Sequence, residues 1–183
     1  TILYSLVSTN SMAISSDWSV SETSKLRLIS PYSQNDGKNL LIGLEYEMEP
    51  GWKTYWKSPG DGGFAQSISW QNSTNIKNVN ILWPTPVEFE ILGLTSLGYQ
   101  NNIIFPLEIE LEDKFQNTFL NLHVNFLICK DVCIPGDATV FLEIPFGEKK
   151  LTDNYFNLEK ALSLLPEEDL NSSCLLYTSD AAD

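Results

Sequence analysis

Positive charge is scarce in this chain. Eleven Lys and Arg stand against 24 Asp and Glu, for a formal net charge of −13 and a sequence pI of about 4.3. A surface of that sign repels phosphate backbones, so nucleic-acid binding is excluded as a function class. The acidity itself serves solubility. Histidine is scarcer still: His123 is the single one, and with three cysteines it makes a thin donor set for a four-ligand zinc site. No run reaches the roughly 18 apolar residues that a membrane-spanning helix needs. The glycine-rich stretch Gly60-Asp61-Gly62-Gly63 lacks the lysine and following helix of a phosphate loop. No Ser–His–acid order or carboxylate pair stands out, so hydrolase chemistry has no support.

Apolar material is plentiful. Hydrophobic residues make up 43% and aromatics 11%, enough for a packed core and unlike a disordered chain. The two ends read differently from the middle. Residues 1–13 resemble the tail of a secretory signal, with apolar Ile2-Leu3-Tyr4-Ser5-Leu6-Val7 leading to a small-x-small cleavage site after Ala13. Residues 174–183, Cys174 to Asp183, carry no periodicity and resemble a translated sequencing adapter, which is to be set aside from fold reasoning. Between them lie about 160 residues, suited to one domain. That domain is expected over 14–148, followed by a helical linker over 149–173 toward a further segment.

Period-two alternation dominates the domain. Leu40, Ile42, Leu44, Tyr46 and Met48 share one strand face, with Glu45, Glu47 and Glu49 on the other. In Thr118 to Ile128, Leu120, Leu122, Val124, Phe126 and Ile128 point one way and Asn121, His123 and Asn125 the other. Further strands are expected at Lys25–Ile29, Ser67–Trp70, Val79–Trp83, Ile103–Leu111 and Thr139–Ile144. Turn chemistry separates them at Asn35-Asp36-Gly37, Pro50-Gly51, Ser58 to Gly63, Trp83-Pro84-Thr85-Pro86 and Pro135-Gly136-Asp137. Many short strands without intervening helices predict an all-β antiparallel sandwich. One short helix is expected late, capped by Asp153, with Phe156, Leu158, Ala161, Leu162 and Leu165 on its apolar face and Pro166 at its end.

Chemistry concentrates at Cys129-Lys130-Asp131-Val132-Cys133. Without Cys174, cysteine usage is low and paired, as in an oxidising compartment. The pair can close a disulfide only if the backbone bends at Lys130-Asp131-Val132, because the Cα atoms must come within roughly 4.4–6.8 Å. Three readings stand side by side. A structural bridge around so small a loop contributes only about 2 kcal/mol by loop entropy. A zinc site lacks ligands, with His123 roughly 20 Å up the strand, though two thiolates suit a soft Cu(I) ion. A redox pair would cycle between dithiol and disulfide, with Lys130 favouring a thiolate and Asp131 opposing it. Trp52, Tyr55 and Trp56 leave a parallel choice between core packing and a platform for a glycan ring.

Three blocks in order narrow this choice: Pro50-Gly51-Trp52-Lys53-Thr54-Tyr55-Trp56-Lys57-Ser58-Pro59-Gly60-Asp61-Gly62-Gly63; Trp83-Pro84-Thr85-Pro86-Val87-Glu88-Phe89 with Leu97-Gly98-Tyr99; and Cys129 to Pro135. Together they resemble the N-terminal periplasmic domain of DsbD-type thiol:disulfide interchange proteins, in the ScsB-like branch associated with suppression of copper sensitivity. The resemblance runs from about Trp18 to Phe146. It implies an immunoglobulin-like sandwich in the periplasm, part of a protein-disulfide reductase that needs no organic cofactor and no metal. The partners it implies are a membrane-embedded thiol domain of the same parent protein, which supplies electrons, and periplasmic disulfide proteins, which receive them. It also implies that Cys133 exchanges with the partner, that Cys129 resolves the mixed disulfide, and that Phe89 caps the pair. The rival expectation is a Cu(I)- or glycan-binding module with a structural disulfide.

Overall fold

A computed structural model describes residues 14–166. The expected signal remnant at 1–13, the linker residues 167–173 and the adapter-like segment 174–183 lie outside the described residues. In chain order the elements are β1 (Ser19–Val20), β2 (Ser24–Ile29), β3 (Leu40–Met48), β4 (Lys53–Gly60), β5 (Ser67–Ser69), β6 (Asn78–Ile81), β7 (Val87–Ile91), β8 (Leu94–Gln100), β9 (Asn102–Glu110), β10 (Thr118–Cys129), β11 (Cys133–Ile144) and α1 (Tyr155–Leu162). One sheet has the order β1-β2-β3-β9-β6; the other has β11-β10-β4-β8-β7, with β5 added along β10. The pairings are antiparallel, and the two sheets pack as an immunoglobulin-like sandwich with one short late helix, as the alternation predicts. No helix among the described residues is long and apolar enough to cross a membrane.

The alternation places the core. Ile42, Leu44 and Tyr46 of β3 are fully buried, as are Leu120, Leu122 and Val124 of β10, and Phe126 and Ile128 nearly so. They form one cluster with Leu26, Leu28, Phe105, Leu107, Val140 and Ile144. The other face of β3 is half-exposed, and its carboxylates meet cations directly opposite on β2: Arg27 to Glu45 at 2.6 Å and Lys25 to Glu47 at 2.7 Å.

Strands β10 and β11 form one long hairpin in unbroken register, from Thr118↔Ile144 to Cys129↔Cys133. The turn expected at Pro135-Gly136-Asp137 is therefore corrected: these residues lie inside β11. Two features permit it. β11 is the sheet edge, so the missing N–H of Pro135 removes no bond that the sheet requires. Gly136 lies against the Phe126 ring, where a Cβ would sit 2.2 Å from a ring carbon. The chain turns at Lys130–Val132, where the bend was expected, closed by the Lys130 N–H donating to the Val132 carbonyl at 3.0 Å.

The helix also departs in detail. Asn154, not Asp153, takes the cap position, and its side chain donates to the Ile14 carbonyl instead of capping. Leu158 and Ala161 are buried where α1 packs on β9, but Phe156 is 78% exposed. Phe156 lies two residues before Leu158, about 200° around the helix, so it cannot share that face. At the far end of α1 the Thr85 N–H donates to the Leu164 carbonyl at 2.7 Å, tying the helix terminus to the segment that enters β7.

A disulfide beneath an aromatic cluster

On the face of β10 away from the core, Asn121 and His123 are half-exposed and Asn125 is exposed, as expected. Two residues further on, this same face becomes dry. Leu127 is 7% and Cys129 0% exposed, gathered with Tyr55, Phe89 and Ile91 in a second cluster separate from the main core. A strand face that should be wet is instead sealed around one sulfur atom.

Cys129 and Cys133 are bonded, S–S 2.06 Å, across a directly opposed pair whose Cα atoms are 4.1 Å apart. Their surroundings differ sharply. Cys129 is fully buried, whereas Cys133, first residue of β11, is exposed at the mouth of the hairpin between exposed Val132 and Ile134. A docking molecule can reach one end of the bond only.

Tyr55 provides the polar contact. Its hydroxyl donates to Cys129 Sγ at 3.1 Å and lies 3.8 Å from Cys133 Sγ, while the residue is 2% exposed. Burial pushes the phenol above its ordinary range, so it stays protonated and acts as a donor. Its placement follows from β4. Trp52 and Trp56 pack on the main core, so Tyr55, of opposite parity, falls on the other face. β4 pairs with β10 only at Lys53↔Cys129, and the Thr54 hydroxyl adds a bond to the Leu127 carbonyl at 3.1 Å. Gly63, at φ +90°, lies against the Tyr55 ring, where a Cβ would come within 2.3 Å of a ring carbon. The glycine run thus seats an aromatic ring.

Phe89 sits in this cluster on β7, 8% exposed, with its ring centroid 6.0 Å from that of Tyr55 and the Lys53 ammonium 5.6 Å from its centre. β7 and β8 form a hairpin over the site, turning at Leu92 and Gly93 with φ of +54° and +79°. Lys130, next to the disulfide, extends its ammonium to the Pro50 carbonyl at 3.3 Å. His123 is at the surface, paired with Asp137 at 2.9 Å. Among the described residues no cluster of three or more His, Cys, Asp or Glu is placed to hold a metal ion. The structure therefore brings Cys129, Cys133 and Phe89 together in one place. Tyr55 was missed as a member of the site, although its parity in β4, opposite to the two tryptophans, was a usable signal.

Residues 25–145 match the family model described as "Thiol:disulfide interchange protein DsbD, N-terminal". Among solved structures, the chain is similar to the N-terminal periplasmic domain of ScsB from Proteus mirabilis, at 26% identity and a TM-score of 0.68. That alignment covers 85% of this chain and 60% of the ScsB chain, so the sequence spans about three fifths of that domain. The comparison with curated proteins gives no match.

Proposed function

This chain belongs to the family of DsbD N-terminal thiol:disulfide interchange domains, and from that premise we propose that it is a periplasmic relay carrying reducing equivalents from a membrane thiol domain of its parent protein to periplasmic disulfide proteins. The observation that carries this reading is the unequal exposure of one disulfide, with Cys133 open and Cys129 buried beneath Tyr55 and Phe89.

The chemistry is thiol–disulfide exchange. A thiolate of the donor attacks Cys133 Sγ and forms a mixed disulfide, and Cys129 leaves as thiolate. The donor's second thiolate then attacks its own sulfur in that mixed disulfide. The donor departs oxidised, and Cys133 is released as thiolate. Two electrons have moved, and the domain holds a dithiol. In the onward step the Cys133 thiolate attacks the disulfide of a periplasmic partner. Cys129 then attacks Cys133, re-forming the bridge and releasing the partner reduced.

Redox titration with thiol labelling tests the relay. A relay pair is expected to titrate between about −120 and −270 mV, the range of exchange domains. A midpoint below roughly −300 mV would mark a structural bridge and overturn the reading.

Phe89 has the shielding role in this proposal. Phe89→Leu keeps apolar fill but removes the ring that lies against Tyr55 and beneath the Lys53 ammonium. Reduction of the disulfide by glutathione is expected to become severalfold faster, followed as free thiol against time. An unchanged rate would mean that Phe89 is packing alone.

A further inference from the structure

We propose that the Tyr55 hydroxyl is the leaving-group donor of the exchange: it stabilises the charge that appears on Cys129 when Cys133 is attacked, and so speeds the departure of that sulfur. This inference rests on the relay reading and adds a residue to it.

The geometry is unequal by design of the strands. The phenol oxygen is 3.1 Å from Cys129 Sγ and 3.8 Å from Cys133 Sγ. Among the described residues it is the hydrogen-bond donor that reaches Cys129 Sγ. In the disulfide this sulfur is neutral and a weak acceptor. During exchange the incoming thiolate bonds to Cys133 Sγ, the Sγ–Sγ bond breaks, and its electron pair stays on Cys129 Sγ. The proton remains on the Tyr55 oxygen, and the weak contact becomes a charge-assisted hydrogen bond. Cys129 has no exposed surface, so water cannot solvate the new thiolate.

Nearby cations are engaged elsewhere. The Lys130 ammonium is on the Pro50 carbonyl, and the Lys53 ammonium is on the Gly51 carbonyl and over the Phe89 ring. The phenol is therefore the group in place to hold the charge. Burial keeps it protonated, so it remains a donor throughout the working pH range. A thiolate stabilised in this way is also a better leaving group, since exchange speeds up as the departing thiol becomes more acidic.

Tyr55→Phe keeps the ring and removes the hydroxyl. In the intact pair, reduction by dithiothreitol at neutral pH is expected to slow about tenfold. In a Cys133→Ser background, where Cys129 is the remaining thiol of the pair, the Cys129 thiol pKa read from thiolate ultraviolet absorbance is expected to rise by about one unit. A second substitution guards against a folding effect. Site-specific 3-fluorotyrosine at position 55 is nearly isosteric and a stronger donor, and should move both readouts the other way. Unchanged rate and thiol pKa in Tyr55→Phe would overturn the inference and leave the relay standing. Failure of the relay has a different signature: the wild-type midpoint in the redox titration would fall in the range of structural bridges.

Discussion

Cys129→Ser is expected to stop exchange at a covalent complex, and Cys133→Ser to form no complex at all. In the first variant the surviving thiol of the pair is Cys133, exposed at the hairpin mouth and able to attack a partner disulfide. The pair then has no second sulfur to displace the partner, so the mixed disulfide accumulates and turnover falls to background. In the second variant the surviving thiol of the pair is Cys129, with no exposed surface, beneath Tyr55 and Phe89. It cannot reach a disulfide on another protein. Non-reducing electrophoresis with mass spectrometry of the adduct reads both outcomes. A complex with Cys133→Ser and none with Cys129→Ser would reverse the assigned roles. Loss of fold does not confuse the test, because the bridge joins residues already opposed in a continuous hairpin and closes a loop so short that its entropic contribution is about 2 kcal/mol.

Much of this arrangement is legible in the sequence, for a reason visible in β10. Alternation from Leu120 to Ile128 states which face meets the core, and a disulfide with three intervening residues requires a bend at Lys130–Val132. Both follow from strand geometry alone. What the alternation conceals is where the polar face stops being polar. Leu127 and Cys129 continue the parity of Asn121, His123 and Asn125, yet they are buried because β4 and β7 bring Tyr55 and Phe89 over them. That depends on strands distant in sequence. Pro135-Gly136 resembles a turn locally, but the edge position and the Phe126 ring make it strand. The β7–β8 hairpin carries no Asn-Gly signal, because its turn puts a leucine at positive φ. Phe89 was reachable only through the resemblance of whole blocks to a family, and Tyr55 only through its parity relative to Trp52 and Trp56.

Gly98→Ala is expected to unmake both the sheet and the site. Gly98 lies on β8 between two neighbours, paired with Tyr55 of β4 on one side and Val87 of β7 on the other. A Cβ there would meet the Thr54 carbonyl oxygen at 2.0 Å, the Tyr55 Cα at 2.9 Å and the Thr54 carbonyl carbon at 3.0 Å. All three are backbone atoms, so no side chain can swing aside, and β4 must separate from β8. That shift carries Thr54 off the Leu127 carbonyl and Tyr55 off Cys129. We expect a loss of about 3 kcal/mol, at the upper end for overpacking, measured as a drop in urea midpoint of roughly 1–2 M. Disulfide exchange should slow in the protein that remains folded, because Tyr55 is displaced with its strand. Gly93→Ala is the control. It meets no atom within 4 Å and bears only a left-handed backbone at φ +79°, with a cost of about 1–2 kcal/mol. If Gly98→Ala proves no worse than Gly93→Ala, the close approach of β4 and β8 is not what seats Tyr55 against the disulfide.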